Sequence, residues 1–409
     1  MKTPWPDKEL EIVRCCAGLA VADCFVRDLR AGIEDGPVDW PKVLALAGQH
    51  GLAGFVYKAL ANHGKDLVPE AVLGQLKKMY FQNSTRNLYL GATLLKILNL
   101  FKQHRIDAVG FKGPVQSEVL FQDIGIRTFF DLDILVRKDQ AVRARNLLMD
   151  QGFSTDIHIP ASQEKVYLEK ENFFQLADAT KRINIDLHWE ITGRYNLVPV
   201  YYPGARDLED LRLLGTRIKT LKPEDMLIHL CIHGSSHCWD RLEMICSVAV
   251  IAGGGMIQDW TRVFIRAKVL RCYRMVLLGL GLARHCFAVD LPPALANTVA
   301  QDAHVEKLCE YILNRITKGE VAFSESLNWR FSPMHFQVRD SFRDRVAYLF
   351  RLFFRPTVRE WDQYPLPVRF LFLYPVLRPF RLLMMVMGSG RSAPVPEERC
   401  ETPSGENLN

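Results

Sequence analysis

Two aspartates spaced by one residue, Asp131-Leu132-Asp133, lead into the aliphatic run Ile134-Leu135-Val136 and are the residues best suited to chemistry. Side chains alternate across a strand, so both carboxylates fall on one face while Leu132, Ile134 and Val136 fall on the other. Two carboxylates about 4 Å apart repel by roughly 4 kcal/mol at an effective dielectric near 20, a cost relieved by a cation between them or a proton on one. Hard oxygen ligands favour Mg2+ or Mn2+ over zinc. A merely solvated strand face carries the same pattern and is the alternative.

A second alternating run, Ile183-Asn184-Ile185-Asp186-Leu187-His188-Trp189-Glu190, puts Ile183, Ile185 and Leu187 on one face. Asn184, Asp186, His188 and Glu190 take the other. If the two strands are neighbours on a common core, Asp186 arrives on the side of Asp131 and Asp133. Two carboxylates then hold a metal, and the third touches it too or draws a proton from an attacking hydroxyl, as phosphoryl-group transfer requires. Upstream, Phe111-Lys112-Gly113-Pro114 ends a strand and opens a turn. Glycine there lets backbone amides approach an anion, and Lys112 can meet a phosphate as a point charge. Arg127 is a second cation for phosphate. Both basic residues serve equally well as surface ion-pair partners.

His229, His233 and His237 recur at spacings of four, along one side of a helix opened by Pro223-Glu224-Asp225. Three readings stay open: a zinc ladder, a lining for the nucleotide or acceptor pocket, and simple packing or capping. The zinc-peptidase pattern, with Glu after the first histidine, is missing. Arg241, Trp239 and Glu243 follow closely, as pocket or surface residues. Gly253-Gly254-Gly255 lacks the spacing and preceding strand of a phosphate-binding fingerprint and reads as a helix break.

The elements that must position these groups are mixed. From residue 7 to 104 the pattern is helical, with Leu90, Leu94, Ile97 and Phe101 forming an apolar stripe and shorter helices around Gly51 and Gly64. Between 105 and 202 strands and helices interleave: strands at 108–111, 131–136, 154–159, 172–177 and 182–191, and a helix over 140–151 with Asp139 as its cap. After Pro203 the pattern returns to helices as far as residue 387, and 388–409, rich in Ser, Pro, Glu and Asn, reads as a disordered tail. The expected class is α+β: a helical N-terminal region (1–104), a catalytic core (105–202) with a small mixed sheet flanked by helices, a helical C-terminal region (203–387) and the tail.

The composition is that of a globular chain. Of 409 residues 48% are hydrophobic and 24% charged, which excludes collagenous and disulfide-stapled classes. The net charge of +6 is too small for this length to imply nucleic acid as the main partner. Ten cysteines without a CxxC pair read as small buried hydrophobes. A secretory leader and a run of about 18 apolar residues are both missing, so a cytoplasmic protein is the expectation. Residues 343–387 mix aromatic, aliphatic and arginine side chains, with prolines at 356, 365, 367, 375 and 379 that prevent one long helix. They form either short helices packed on the body or a peripheral face on an anionic membrane.

Taken in order, Val109-Gly110-Phe111-Lys112-Gly113, Gly125-Ile126-Arg127 running into Asp131-Leu132-Asp133-Ile134-Leu135-Val136, and Ile185-Asp186-Leu187-His188-Trp189 resemble the successive motifs of the uncharacterised bacterial nucleotidyltransferase family. That family belongs to the polymerase-β-like nucleotidyltransferase superfamily. The resemblance extends to the Pro223-Glu224-Asp225 helix with its histidines and to Leu377-Arg378-Pro379. It implies a divalent metal, Mg2+ or Mn2+, held by Asp131 and Asp133 with Asp186 as the third carboxylate. Lys112-Gly113 stands where the wider superfamily has Gly-Ser. The implied activity moves a nucleoside monophosphate from a nucleoside triphosphate to the hydroxyl of an acceptor (small molecule, glycan or protein) and releases pyrophosphate. His188, His233 and His237 are pocket candidates; Lys112, Gly113 and Arg127 are the nucleotide-binding ones. The competing readings are an inactive scaffold of this fold, held to a partner or membrane by its helical half, and a zinc hydrolase centred on the histidine ladder.

Overall fold

The computed structural model describes residues 5–155, 159–160, 163–191, 202–319, 332–356 and 366–388. The chain divides into two compact units, Met1–Leu349 and Phe350–Asn409.

In the first unit, α1 (Lys8–Gly18), α2 (Phe25–Glu34), α3 (Trp40–Gln49), α4 (Ala53–His63) and the 34-residue α5 (Glu70–Gln103) form the N-terminal layer. Local chemistry sets their ends. Asp7 caps α1 by accepting from the Glu9 and Leu10 amides, and Asp39 caps α3 through Lys42 N. The predicted stripe of α5 is buried at Leu90, Leu94, Ile97 and Phe101. The expected α+β class is found: a four-stranded mixed sheet and a two-stranded one, flanked by helices.

The main sheet runs β1-β2-β4-β3, built from β1 (Ala108–Gly110), β2 (Asp131–Val136), β3 (Phe173–Ala177) and β4 (Asn184–His188). Between β1 and β2 lies α6 (Pro114–Phe121), and α7 (Ala141–Asp150) and α8 (Glu164–Lys170) follow β2. β2 and β4 pair in parallel, while β1 and β3 are antiparallel to their neighbours. Leu132, Ile134 and Val136 of β2 and Ile185 and Leu187 of β4 are fully buried on one face, each worth about 1.5–3 kcal/mol relative to exposure. Their burial fixes which way the intervening carboxylates point.

Three expectations about elements are corrected. Ser154 makes only an isolated bridge to Ala177; the rest of the expected 154–159 strand lies partly outside the described residues. Asp139 does not cap α7, because its carboxylate is taken by Arg137 at 2.8 Å and a 3-10 turn, Lys138–Gln140, precedes the helix. After Pro203 the chain first makes a hairpin, β5 (Leu208–Leu213) and β6 (Thr216–Leu221), rather than returning directly to helices. Leu214 and Gly215 both have positive φ, 47° and 80°, the twist that a two-residue hairpin turn requires. The expected disordered tail falls outside the described residues beyond 388.

Behind the hairpin come α9 (Pro223–Ser236), α10 (Leu242–Gly253), α11 (Trp260–Val269), α12 (Tyr273–Phe287), α13 (Pro293–Gln301), α14 (Ala303–Thr317) and α15 (Pro333–Gln337). α11 and α12 are separated by a turn at Arg271, whose φ is +51°. α9, α10, α12 and α14 pack on one another, and α10 also packs on α1. One hydrophobic core therefore runs through the N-terminal and C-terminal helices, with Val13, Val56, Ile245 and Leu278 fully buried in it. The buried cysteines, among them Cys15, Cys231 and Cys246, are free thiols in this core. In the second unit, α16 (Phe342–Phe354), which begins before the division, ends ahead of a 3-10 segment, Val368–Leu373, and the final described helix, Tyr374–Gly388.

Candidate metal and nucleotide site

The β2–β4 register sets Asp133 directly across from Asp186, with Asp131 opposite Asn184 and Leu135 opposite His188. In a parallel pair, partners in register share a face. Asp131, Asp133, Asp186 and His188 therefore project from one side of the sheet, away from the Leu132, Ile134, Ile185 and Leu187 layer. One ligand atom each from Asp133, Asp186 and His188 lies within 4.8 Å of the others, and among the described residues this is the one such group of three. Asp131 shares the face and lies outside this group of three.

His188 is aimed by its neighbours. Its ring stacks on Phe173 with centroids 5.3 Å apart and meets Phe111 edge-on at 5.5 Å, and its Nε2 lies 2.9 Å from Asp133 Oδ1. Lys112 Nζ donates to the same oxygen at 2.5 Å. Burial alone would raise the Asp133 carboxyl, but the Lys112 ammonium and the His188 hydrogen bond hold it well below the usual carboxylate range. Asp131 is pushed up to about 6 by burial and the Asp133 charge, against the pull of Lys112 and Arg241. Lys112 stays charged despite its own burial because Asp133, Asp131 and Asp186 all act on it. It sits at the electrostatic centre of the three carboxylates.

Gly113 makes this placement of Lys112 possible. With φ +52° and ψ −119° it adopts backbone that only glycine enters readily, and a Cβ there would stand 3.3 Å from both the Asp131 carbonyl oxygen and the Phe129 ring. The loop ahead of β2 is held from α5: Asn83 Nδ2 donates to the Gly125 and Arg127 carbonyls at 2.7 Å, and Asn87 Nδ2 to those of Ile124 and Arg127. Within α5 these asparagines look like any polar helix residues, so nothing in their spacing marks them.

Arg127 is placed differently from Lys112. Its Nε donates to Glu243 Oε1 at 2.5 Å and its Nη1 to Gln116 Oε1 at 3.0 Å, in an ion pair that is buried rather than on the surface. Ser247 also donates to Glu243 Oε1, at 2.7 Å. Arg127 thus ties the approach to β2 onto α10.

The histidine ladder lies beside Lys112. His229 meets Phe111 edge-on at 5.2 Å, and the ring centroids of His233 and His237 are 4.5 Å apart. Burial, with the Lys112 charge behind it, lowers His229 to about 3; burial and Arg241 lower His237 to about 4. Burial, then His237 and Lys112, holds His233 well below its ordinary value. The ladder is neutral near pH 7. α9 ends at Ser236, and the chain reverses through Cys238 and Trp239 at φ +54° and +53°. The buried Trp239 ring packs where a Cβ on Gly234 would come within 2.5 Å of it, and this holds the strained turn. The reversal brings Arg241 to where its charge acts on Asp131, His233 and His237. Its guanidinium is about a third exposed, with Asp240 3.9 Å away.

The donor set of two carboxylates and one imidazole suits a divalent cation, and the nitrogen ligand suits Mn2+ better than Mg2+. A depression of about 470 Å³ lined by Asp107, Arg137, Trp189 and Tyr202 shares none of these residues; the convergence of charged groups, not cavity size, marks the site. No curated protein matches the chain. Residues 36–288, more than half of the chain and inclusive of every group above, match the family described as uncharacterised nucleotidyltransferase, and the chain belongs to that family.

Proposed function

We propose that this protein transfers a nucleoside monophosphate from a nucleoside triphosphate to a hydroxyl of an acceptor, with release of pyrophosphate, and that the transfer depends on Mg2+ or Mn2+. Family membership supports nucleotidyl transfer in general. The observation that carries the metal-dependent form is the register pair Asp133–Asp186 with His188 beside it, all within 4.8 Å.

Asp133, Asp186 and His188 hold the ion, with Asp131 next to them on the same strand face. When bound, such an ion neutralises charge on the triphosphate and on the departing pyrophosphate. Lys112 offers its ammonium to a phosphate oxygen in exchange for Asp133, and Arg241 supplies the second cation, the part that Arg127 gives up by pairing with Glu243. Asp186 is less buried than Asp133, so an acceptor hydroxyl reaches it, and it takes the proton. The neutral ladder of His229, His233 and His237 lines the pocket without adding positive charge.

The Lys112–Asp133 contact also favours a second reading, a binding protein of this fold whose carboxylates are neutralised by its own ammonium. One experiment separates the two. Purified protein is incubated with each α-labelled nucleoside triphosphate, Mg2+ or Mn2+, and a lysate as the source of acceptor. A labelled product with pyrophosphate release is expected, and neither from Asp133→Asn with an unchanged circular dichroism spectrum. Absence of label from the wild type with every nucleotide favours the binding protein, and equal labelling by the folded variant removes Asp133 from the mechanism.

A further inference from the structure

The apolar side chains of the second unit face outward. Near the end of α16, Phe350, Phe353 and Phe354 recur at three and four, with Phe350 63% exposed. In the final described helix, Val376, Phe380 and Leu383 follow the same spacing at 67%, 64% and 55% exposure, and Phe372 ahead of them is 69% exposed. Such spacing gathers side chains on one face of a helix. Leu352 and Tyr374 are buried, and Arg378 donates through Nε to the Leu352 carbonyl at 2.8 Å. Each helix thus buries part of its surface and exposes an aromatic and aliphatic side. A soluble surface rarely leaves so many large apolar groups together.

Charge decides among the covers. Residues 350–388 contain six arginines, no lysine and two acids, a net +4 of the chain's +6. A second copy docking by this face would set two such surfaces against each other, a like-charge arrangement that disfavours association. Nucleic acid would answer the arginines but leave Val376, Phe380 and Leu383 without apolar partners, since its contacts are mostly to phosphate and sugar. An anionic lipid surface answers both, with headgroups for guanidinium and the acyl boundary for the aromatic rings. Among the described residues no helix is long and apolar enough to cross a membrane. Proline at 379 interrupts the last one further.

We propose that residues 350–388 dock this protein on the anionic surface of a lipid bilayer, lying on it rather than spanning it. The inference stands independently of the carboxylate site. The test is flotation of the full-length protein with vesicles of phosphatidylcholine, alone or mixed with phosphatidylglycerol. Binding to the mixed vesicles is expected to exceed binding to phosphatidylcholine alone by about tenfold and to weaken with salt. The triple variant Phe350→Ser/Phe372→Ser/Phe380→Ser is expected to stay folded by circular dichroism and to lose binding. Failure of the wild type to bind mixed vesicles overturns the proposal, as does undiminished binding by the folded triple variant. A wild-type dimer that the triple variant converts to monomer, without vesicle binding, assigns the face to a second copy and overturns it equally.

Discussion

Asp133 and Asp186 face each other across adjacent parallel strands, and Lys112 closes on the first of them at 2.5 Å. The contact has a structural consequence besides its chemical one. Asp133 is almost fully buried, and its charge is tolerated because Lys112 and His188 both engage Oδ1. Lys112→Met leaves that charge with the imidazole alone and is expected to cost about 3–5 kcal/mol in urea denaturation without metal. Mn2+ is expected to restore more of the lost stability in the variant than it adds to the wild type, since a cation replaces the ammonium. An unchanged denaturation midpoint would show that the pair holds nothing.

The Arg127–Glu243 pair joins the sheet to α10. Arg127→Met and Glu243→Met are each expected to destabilise by about 3–5 kcal/mol, because each strands the other's buried charge, while the double variant loses far less than the sum. Strict additivity of the two losses in a double-mutant cycle would mean that the residues act separately and would return Arg127 to the nucleotide-binding set.

Much of this arrangement is legible in the residues themselves. The alternation at 131–136 and 183–190 fixes which side chains share a face, because burying Leu132, Ile134, Ile185 and Leu187 leaves the acids no other side. The order of strands is not legible that way: nothing in either run states that they pair in parallel with Asp133 against Asp186. His188, read as a pocket residue, becomes a third member of the cluster because Phe111 and Phe173 turn its ring toward Asp133. Arg127 reads equally as a phosphate or ion-pair residue until its partner, 116 positions away, is known. The β5–β6 hairpin escapes notice because exposed charges such as Asp210 and Lys219, paired at 2.9 Å, mask its short apolar face of Leu213, Ile218 and Leu221.

Gly113→Ala is expected to lower stability by about 1–3 kcal/mol through backbone strain. Its Cβ also meets the Asp131 carbonyl and Phe129 ring at 3.3 Å, so the turn carrying Lys112 must move and Mn2+ affinity should change with it. Calorimetry and denaturation on the same sample measure both. A variant matching the wild type in both would free the turn from any need for glycine.

Stability should fall in mild acid. His50 and His237 are held down to about 4 and His229 to about 3, with burial the largest cause in each. In the unfolded chain these rings protonate near 6.5, so between about 6.5 and 4 the unfolded state binds protons that the folded state refuses. Each contributes up to about 1.4 kcal/mol per pH unit of lost stability as pH falls through that window. Asp131, raised to about 6, acts in the opposite sense, because the folded state takes up its proton first on acidification. Three groups outweigh one, so denaturation midpoints should drop between about pH 6.5 and 4.5. A flat or rising profile there would mean that the buried rings accept protons in the folded state.

The central claim is that Asp133, Asp186 and His188 form a divalent-metal site for nucleotidyl transfer, and a Mn2+ titration followed by electron paramagnetic resonance reaches it most directly. The wild type is predicted to take up about one equivalent, and Asp133→Asn and Asp186→Asn, each with an unaltered circular dichroism spectrum, to bind at least about tenfold more weakly. A wild-type protein that takes up no Mn2+ with nucleoside triphosphate present, or an Asp186→Asn variant that binds as tightly as the wild type, would contradict it.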